Sequence, residues 1–130
     1  MAAMLPKLFF VHFRPTSFVA EDDGALCGFV VGFVSQTALS QAYIHFVGVD
    51  PRRRGRRVGR QLYDRFFDAA RERGCLEVLC VTAPVNTGSI AFHTRMGFEP
   101  LPGDATVDGV PIATNYDGRG ESRVRFRRRL

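Results

Sequence analysis

Apolar residues along this chain change their spacing several times, and each change marks an element boundary. Leu5, Phe9 and Phe13 recur every four residues, with Pro6 where a first helical turn tolerates it. That predicts a short helix, ended by Arg14-Pro15. Ser17 to Glu21 then alternates, Asp22-Asp23-Gly24 supplies a tight turn, and Ala25 to Ser35 forms a second strand of a β-hairpin. This second strand is apolar on both faces, with Gly28 and Gly32 sharing one of them. It reads as a buried strand closely approached by something packed over those glycines. Tyr43 to Val49 is a third strand. From Arg57 to Arg73 the spacing becomes helical: Val58, Leu62, Phe66 and Ala69/Ala70 line one side, and Gly74 takes the position after the helix end. Leu76 to Thr82 is β-rich, Asn86 caps a helix running to Met96, and Gly97 stops it. Phe98 onward is extended and broken by Pro and Gly around Pro100 to Gly120. Arg123 to Arg127 alternates as a terminal strand with one wet face.

This order is that of an α/β or α+β protein with a strand–helix–strand crossover at its centre. Ligands of parallel strands bind beyond the carboxyl ends, where the next helix begins. The segment between Val49 and Leu62 is therefore the first place to look for a site.

Length and composition narrow the class. The chain has 130 residues, which fits one domain spanning 1–130. Hydrophobic residues at 45% and charged residues at 24% are ordinary for a soluble globular chain. No apolar run approaches the roughly 20 residues needed to span a bilayer. The apolar N-terminus lacks a basic start and a cleavage site, so no signal peptide is read there. Cys27, Cys75 and Cys80 lie in apolar runs without CxxC spacing and read as reduced core residues. A cytoplasmic location is expected, with no membrane partner and no metal site.

Charge adds a more specific hint. The net charge is +5, with Lys7 the only lysine, and arginine clusters at 52–60 and at 123–129. Such clusters favour anionic partners. Six of the ten residues from Pro51 to Arg60 are arginine, at the start of the predicted helix. A helix N-terminus exposes about four unpaired N–H groups and roughly half a positive charge. Glycines let the backbone close around an anion, and guanidinium groups pair phosphates bidentately. A pyrophosphate suits this loop. So does a nucleic-acid patch or a plain basic surface, and the residues alone leave all three open. The Walker lysine and the GxGxxG spacing are both missing, which disfavours ATP and dinucleotides.

Val49-x-Pro51-x-x-Arg54-Gly55-x-x-Val58-Gly59-x-x-Leu62 resembles the acetyl-CoA loop of the GNAT acetyltransferase superfamily. Asn86-x-x-Ser89-x-x-Phe92-His93-x-x-x-Gly97-Phe98 resembles the second motif of that superfamily. The resemblance covers about Ser17 to Glu99. It implies an α+β, three-layer fold: a mixed, mostly antiparallel sheet whose central parallel strand pair is splayed to hold CoA, here without the family's first strand. That missing strand would leave an exposed edge or a homodimer contact, or else reflect a mis-set start codon.

For function, the resemblance implies an N-acetyltransferase moving acetyl from acetyl-CoA, as cosubstrate, to the amine of a small molecule or peptide. Pyrophosphate would be held by Arg54 and the backbone from Gly55 to Gly59, including Arg56, Arg57 and Val58, with Arg60 alongside. Val47, Gly48 and Val49 would bind the pantetheine arm through their main chain. Asn86, Ser89, Phe92 and His93 would contact the cofactor from the second helix. Two departures stand out: Arg57 replaces the middle glycine, and His93 replaces a tyrosine. Rival readings are a GNAT-like protein that binds acyl-CoA with little catalysis, and a basic nucleic-acid-binding domain, although nucleic acid is disfavoured because Phe126 is the only aromatic within either cluster.

The transfer chemistry asks for a base, an oxyanion donor and an acid. His45 is the candidate base, because an imidazole titrates near pH 6.5 and His45 is expected on the strand face of Val47 and Val49. A main-chain N–H between Phe46 and Gly48 is the candidate oxyanion donor, with Gly48 expected to mark a bulge unless it merely accommodates packing. His93 is the candidate acid, with Tyr116 or Tyr43 as the alternative donor. Glu21, Asp108 and Asp117 could receive a cationic amine.

Overall fold

The computed structural model describes residues 7–53 and 57–130. In chain order these form α1 (Lys7–His12), β1 (Phe18–Asp22), β2 (Ala25–Val34), β3 (Gln41–Val49), α2 (Val58–Glu72) and β4 (Glu77–Thr82). Then follow α3 (Thr87–Arg95), β5 (Glu99–Pro100), β6 (Ala105–Val107), β7 (Val110–Ile112) and β8 (Val124–Arg129). Short 3-10 turns lie at Arg14–Thr16 and Pro51–Arg53. Leu5 and Pro6, counted into the first predicted helix, lie outside the described residues. Two compact units emerge, one reaching Val78 and including Leu130, the other Leu79–Arg129.

In the first unit β1, β2 and β3 form an antiparallel run in that order. The β1–β2 turn places Asp23 at φ 51° and Gly24 at φ 78°. Two successive left-handed residues are what a two-residue hairpin turn needs, and an Asp-Gly pair adopts them at little cost. Residues directly opposite across an antiparallel pair share a face, so Gly28, Val30 and Gly32 share theirs with Val49, Val47 and Ile44. Helix α2 packs there. A Cβ on Gly28 would lie 3.0 Å from Val58 Cγ1 and 3.1 Å from Leu62 Cδ1, and one on Gly32 would lie 2.5 Å from Phe66 Cε2. The two glycines are the grooves into which the helix settles. On the other face Phe9, Phe29 and Val31 form a core, with Phe10, Phe13, Phe33 and Phe46 packed around it.

The second unit orders its strands β4, β8, β5. His93 of α3 stacks on Phe126 of β8 at 5.4 Å and meets Phe98 edge-on at 5.2 Å. The stretch from Pro100 to Gly120, expected to be broken and extended, contains a second hairpin. Strands β6 and β7 pair around Asp108 (φ 50°) and Gly109 (φ 80°). On β8 and immediately before it the arginines have intrachain uses. Arg123 pairs with Asp117 at 2.9 Å, Arg127 with Glu99 at 2.9 Å, and Arg128 Nε donates to the Met96 carbonyl at 2.8 Å. Arg125 lies over the Tyr116 ring. These side chains fasten loops to the strand. The three cysteines are buried and unbonded.

Candidate functional site

The loop after β3 is built around Asp50. Its carboxylate accepts from the Arg52 N–H at 3.0 Å and from Arg53 Nη1 at 2.9 Å, and Arg52 Nη2 lies 3.3 Å away. These donors, the Arg52 N–H foremost, hold the carboxyl below the usual carboxylate range. The Asp50 N–H donates to the Cys27 carbonyl at 2.8 Å, so the loop is pinned to the end of β2. Arg53 also reaches Asp22 at 3.5 Å. The guanidinium groups of Arg52 and Arg53 are thus engaged within the loop. Sequence reasoning counted them among the phosphate donors and missed Asp50, whose signal was an acidic residue facing an arginine run.

Arg54, Gly55 and Arg56 lie outside the described residues. Arg57 is the next one described, at φ 61° and ψ 23°, and it precedes α2 without capping the helix by its side chain. No acidic residue occupies the first helical turn. An L-residue there strains against its own Cβ, by about 1–2 kcal/mol. The position is therefore one that glycine fills without strain, and Arg57 fills it with an exposed side chain. Val58 turns inward against Gly28, while Gly59 is half-buried and Arg60 exposed.

Strand β3 corrects two expectations. The register passes from Val31↔Phe46 to Gly32↔Ile44, so His45 is the extra residue of a bulge. The bulge turns its ring away from the side of Val47 and Val49. His45 stacks on Phe9 at 5.1 Å and 14°, and it is exposed. Nor does Gly48 mark a bulge in the pairing with β2. It sits in regular register opposite Phe29, and a Cβ there would lie 2.5 Å from Phe29 Cε1. Its missing side chain makes room for that ring, the packing role weighed as the alternative.

In the second unit Asn86 caps α3 by accepting from the Ser89 N–H at 3.0 Å. Thr82 Oγ1 donates to Ser89 Oγ at 2.9 Å, and Ser89 Oγ lies 3.2 Å from His93 Nδ1. His93 Nδ1 is 2.7 Å from the Ser89 carbonyl. A carbonyl only accepts, so Nδ1 carries the proton of the neutral ring. His93 is 4% exposed, and burial pushes its pKa down, partly offset by the Ser89 carbonyl. Phe92 is half-buried and Tyr116 is 47% exposed. The ring of His93 therefore belongs to an aromatic core with its Nδ1 proton committed, a poor arrangement for protonating a thiolate.

Residues 3–98 match the profile of the acetyltransferase (GNAT) family. The chain belongs to that family. GNAT membership accounts for the loop from β3 to α2 and for the Asn86–Phe98 motif together. The chain is 33% identical over 84 residues to the L-2,4-diaminobutyric acid acetyltransferase of Nocardia farcinica, covering 65% of this chain and 44% of that protein. It spans less than half the length of the curated relatives it matches. The crystal structure of Ard1 from Thermoplasma volcanium superposes with a TM-score of 0.78 at 24% identity, over 95% of this chain and 76% of that one. Nourseothricin acetyltransferase gives a TM-score of 0.72 at 32% identity, over 89% and 66%. The fold class is accordingly α+β, a GNAT sheet of mostly antiparallel strands with a parallel pair. Among the described residues, no helix is long and apolar enough to cross a membrane.

Proposed function

We propose that the chain is an N-acetyltransferase taking acetyl from acetyl-CoA to the amine of a small molecule or peptide. The observation that carries this reading is the start of α2 in a member of the GNAT family: a helix end without a side-chain cap or first-turn acid, entered through Arg57 and preceded by an arginine-rich loop. Backbone N–H groups from Gly55 to Gly59, with Arg54, Arg56 and Arg60, bind the pyrophosphate. Asp50 does not bind phosphate. Its part is to hold Arg52 and Arg53 so that the chain enters the loop in one conformation. The main chain of Val47, Gly48 and Val49 receives the pantetheine arm.

In the transfer, the amine nitrogen attacks the thioester carbon, the carbon–sulfur bond breaks, and its electron pair leaves on sulfur. The ammonium proton goes to His45 by way of solvent, since its exposed ring lies on Phe9 and away from the side of Val47 and Val49. The departing thiolate needs a proton, and a Tyr116 hydroxyl is the better source because His93 holds its own proton on the Ser89 carbonyl; the second proton, lost by the new amide nitrogen, restores that hydroxyl. His93 becomes a positioning residue of α3. The acceptor is an amine with a nearby polar group, as in the relative named for diaminobutyric acid. Arg123 and the β8 residues Arg127 and Arg128, engaged with carboxylates and a carbonyl, argue against the nucleic-acid reading.

An assay of CoA thiol release over an amine panel tests the reading. His45→Gln should lower kcat about 10²-fold or more and flatten the acidic limb of the pH profile, with acetyl-CoA uptake unchanged. Normal turnover in that variant refutes the base assignment. Uptake of acetyl-CoA with no amine acetylated favours the acyl-CoA-binding alternative, and no uptake at all overturns the proposal.

A further inference from the structure

A cavity of about 540 Å³ opens on the first unit where α1, β1 and α2 meet, lined among others by Phe10, Arg14, Phe18, Gln61, Leu62 and Arg65. Its volume falls within the range of small-molecule sites, roughly 300–1,000 Å³. None of its lining residues takes part in acetyl-CoA binding or proton transfer as assigned above. Its lining combines aromatic and aliphatic residues with two exposed arginines. Arg65 lies with Cζ 5.1 Å from the centre of the Phe18 ring, so its charge is held over an aromatic platform. Elsewhere Arg53, Arg71, Arg123 and Arg127 meet carboxylates. Among the described residues neither Arg14 nor Arg65 has an ion-pair partner.

Two arginines with no described ion-pair partner, lining one largely apolar concavity, raise the local potential for an anion, and the guanidinium fork fits a carboxylate bidentately. The apolar floor selects a ligand with a flat, non-polar body. We propose that this cavity binds a small arylalkyl carboxylate, its carboxylate held by Arg14 and Arg65 and its ring packed on Phe10, Phe18 and Leu62. The site lies along α2 at Gln61, Leu62 and Arg65 and shares no residue with those assigned to the pyrophosphate, so the proposal stands independently of the acetyltransferase reading.

An NMR titration of the full chain with 3-phenylpropionate tests it. Backbone amides of Phe18, Val19, Gln61 and Arg65 should shift and saturate. The neutral analogue 3-phenylpropionamide and plain acetate should each bind at least about tenfold more weakly, since each lacks one half of the recognition. Arg65→Gln should weaken 3-phenylpropionate by about tenfold or more while acetyl-CoA uptake is unchanged. Arg14→Gln, on the exposed turn, gives the same readout should Arg65→Gln melt early. The absence of shifts at these four amides up to about 10 mM ligand, equal binding of the amide analogue, or full affinity in both arginine variants overturns the proposal.

Discussion

Helices α2 and α3 begin in opposite ways. Helix α3 is closed by its own sequence: Asn86 accepts from the Ser89 N–H, and Ser89 in turn is tied to Thr82 and His93. Helix α2 begins after a left-handed arginine, with no side-chain cap and no acid in its first turn. A helix end that the chain satisfies itself adds stability. One left with its donors and its positive end uncompensated gives up that stability and keeps an affinity for anions. The same family motif set contains both, and only the second suits a diphosphate.

The sharpest way to break this contrast is to give α2 the acid it lacks. Arg57→Asp tolerates the left-handed conformation and supplies a capping carboxylate, so calorimetry should show acetyl-CoA affinity reduced about 100-fold, some 2.7 kcal/mol, with an unchanged or raised melting temperature. A loss under threefold ends the comparison. Asn86→Ala should do the reverse: about 1 kcal/mol of stability lost, visible in a denaturant titration, with acetyl-CoA affinity changed by less than about threefold. Arg57→Gly should raise stability by about 0.5–1 kcal/mol by relieving the strained backbone. Its effect on acetyl-CoA affinity then apportions the grip, small if backbone N–H groups supply it and severalfold if the guanidinium does.

The smallest effect is one of pH. His93 has its pKa lowered on folding by burial, so the unfolded chain takes up a proton near pH 6.5 that the folded chain refuses. Stability from His93 is therefore full above that pH and declines below it. Melting temperature should fall more between pH 7.5 and 5.5 in the parent than in His93→Phe. Asp50 works in another window: with its folded pKa depressed, its contribution persists above the unfolded carboxylate value and disappears only as pH falls through the folded one.

Much of this was legible in the residues. The Asp23-Gly24 turn, the packing of α2 over Gly28 and Gly32, and the Asn86 cap each follow from a local rule acting on adjacent residues. Asp108-Gly109 obeyed the same turn rule as Asp23-Gly24, but Pro and Gly around it masked two three-residue strands. The face of His45 was misjudged for a different reason. A bulge depends on the pairing of β3 with β2, a long-range register that alternation along one strand does not contain. Gly48 looked the same from its own strand whether it bent the chain or made room for Phe29, and only the partner decided. Burial of His93 likewise came from Phe126, far along the chain.

Arg53 touches both Asp50, at the start of the arginine-rich loop, and Asp22, beside the turn of the first hairpin. One side chain thus tethers two stretches that are remote in sequence. The hairpin becomes a fixed post against which the loop is braced. Lengthening that hairpin or removing the Asp22 charge, though far from any reacting atom, should slow the capture of cofactor before it alters the chemistry.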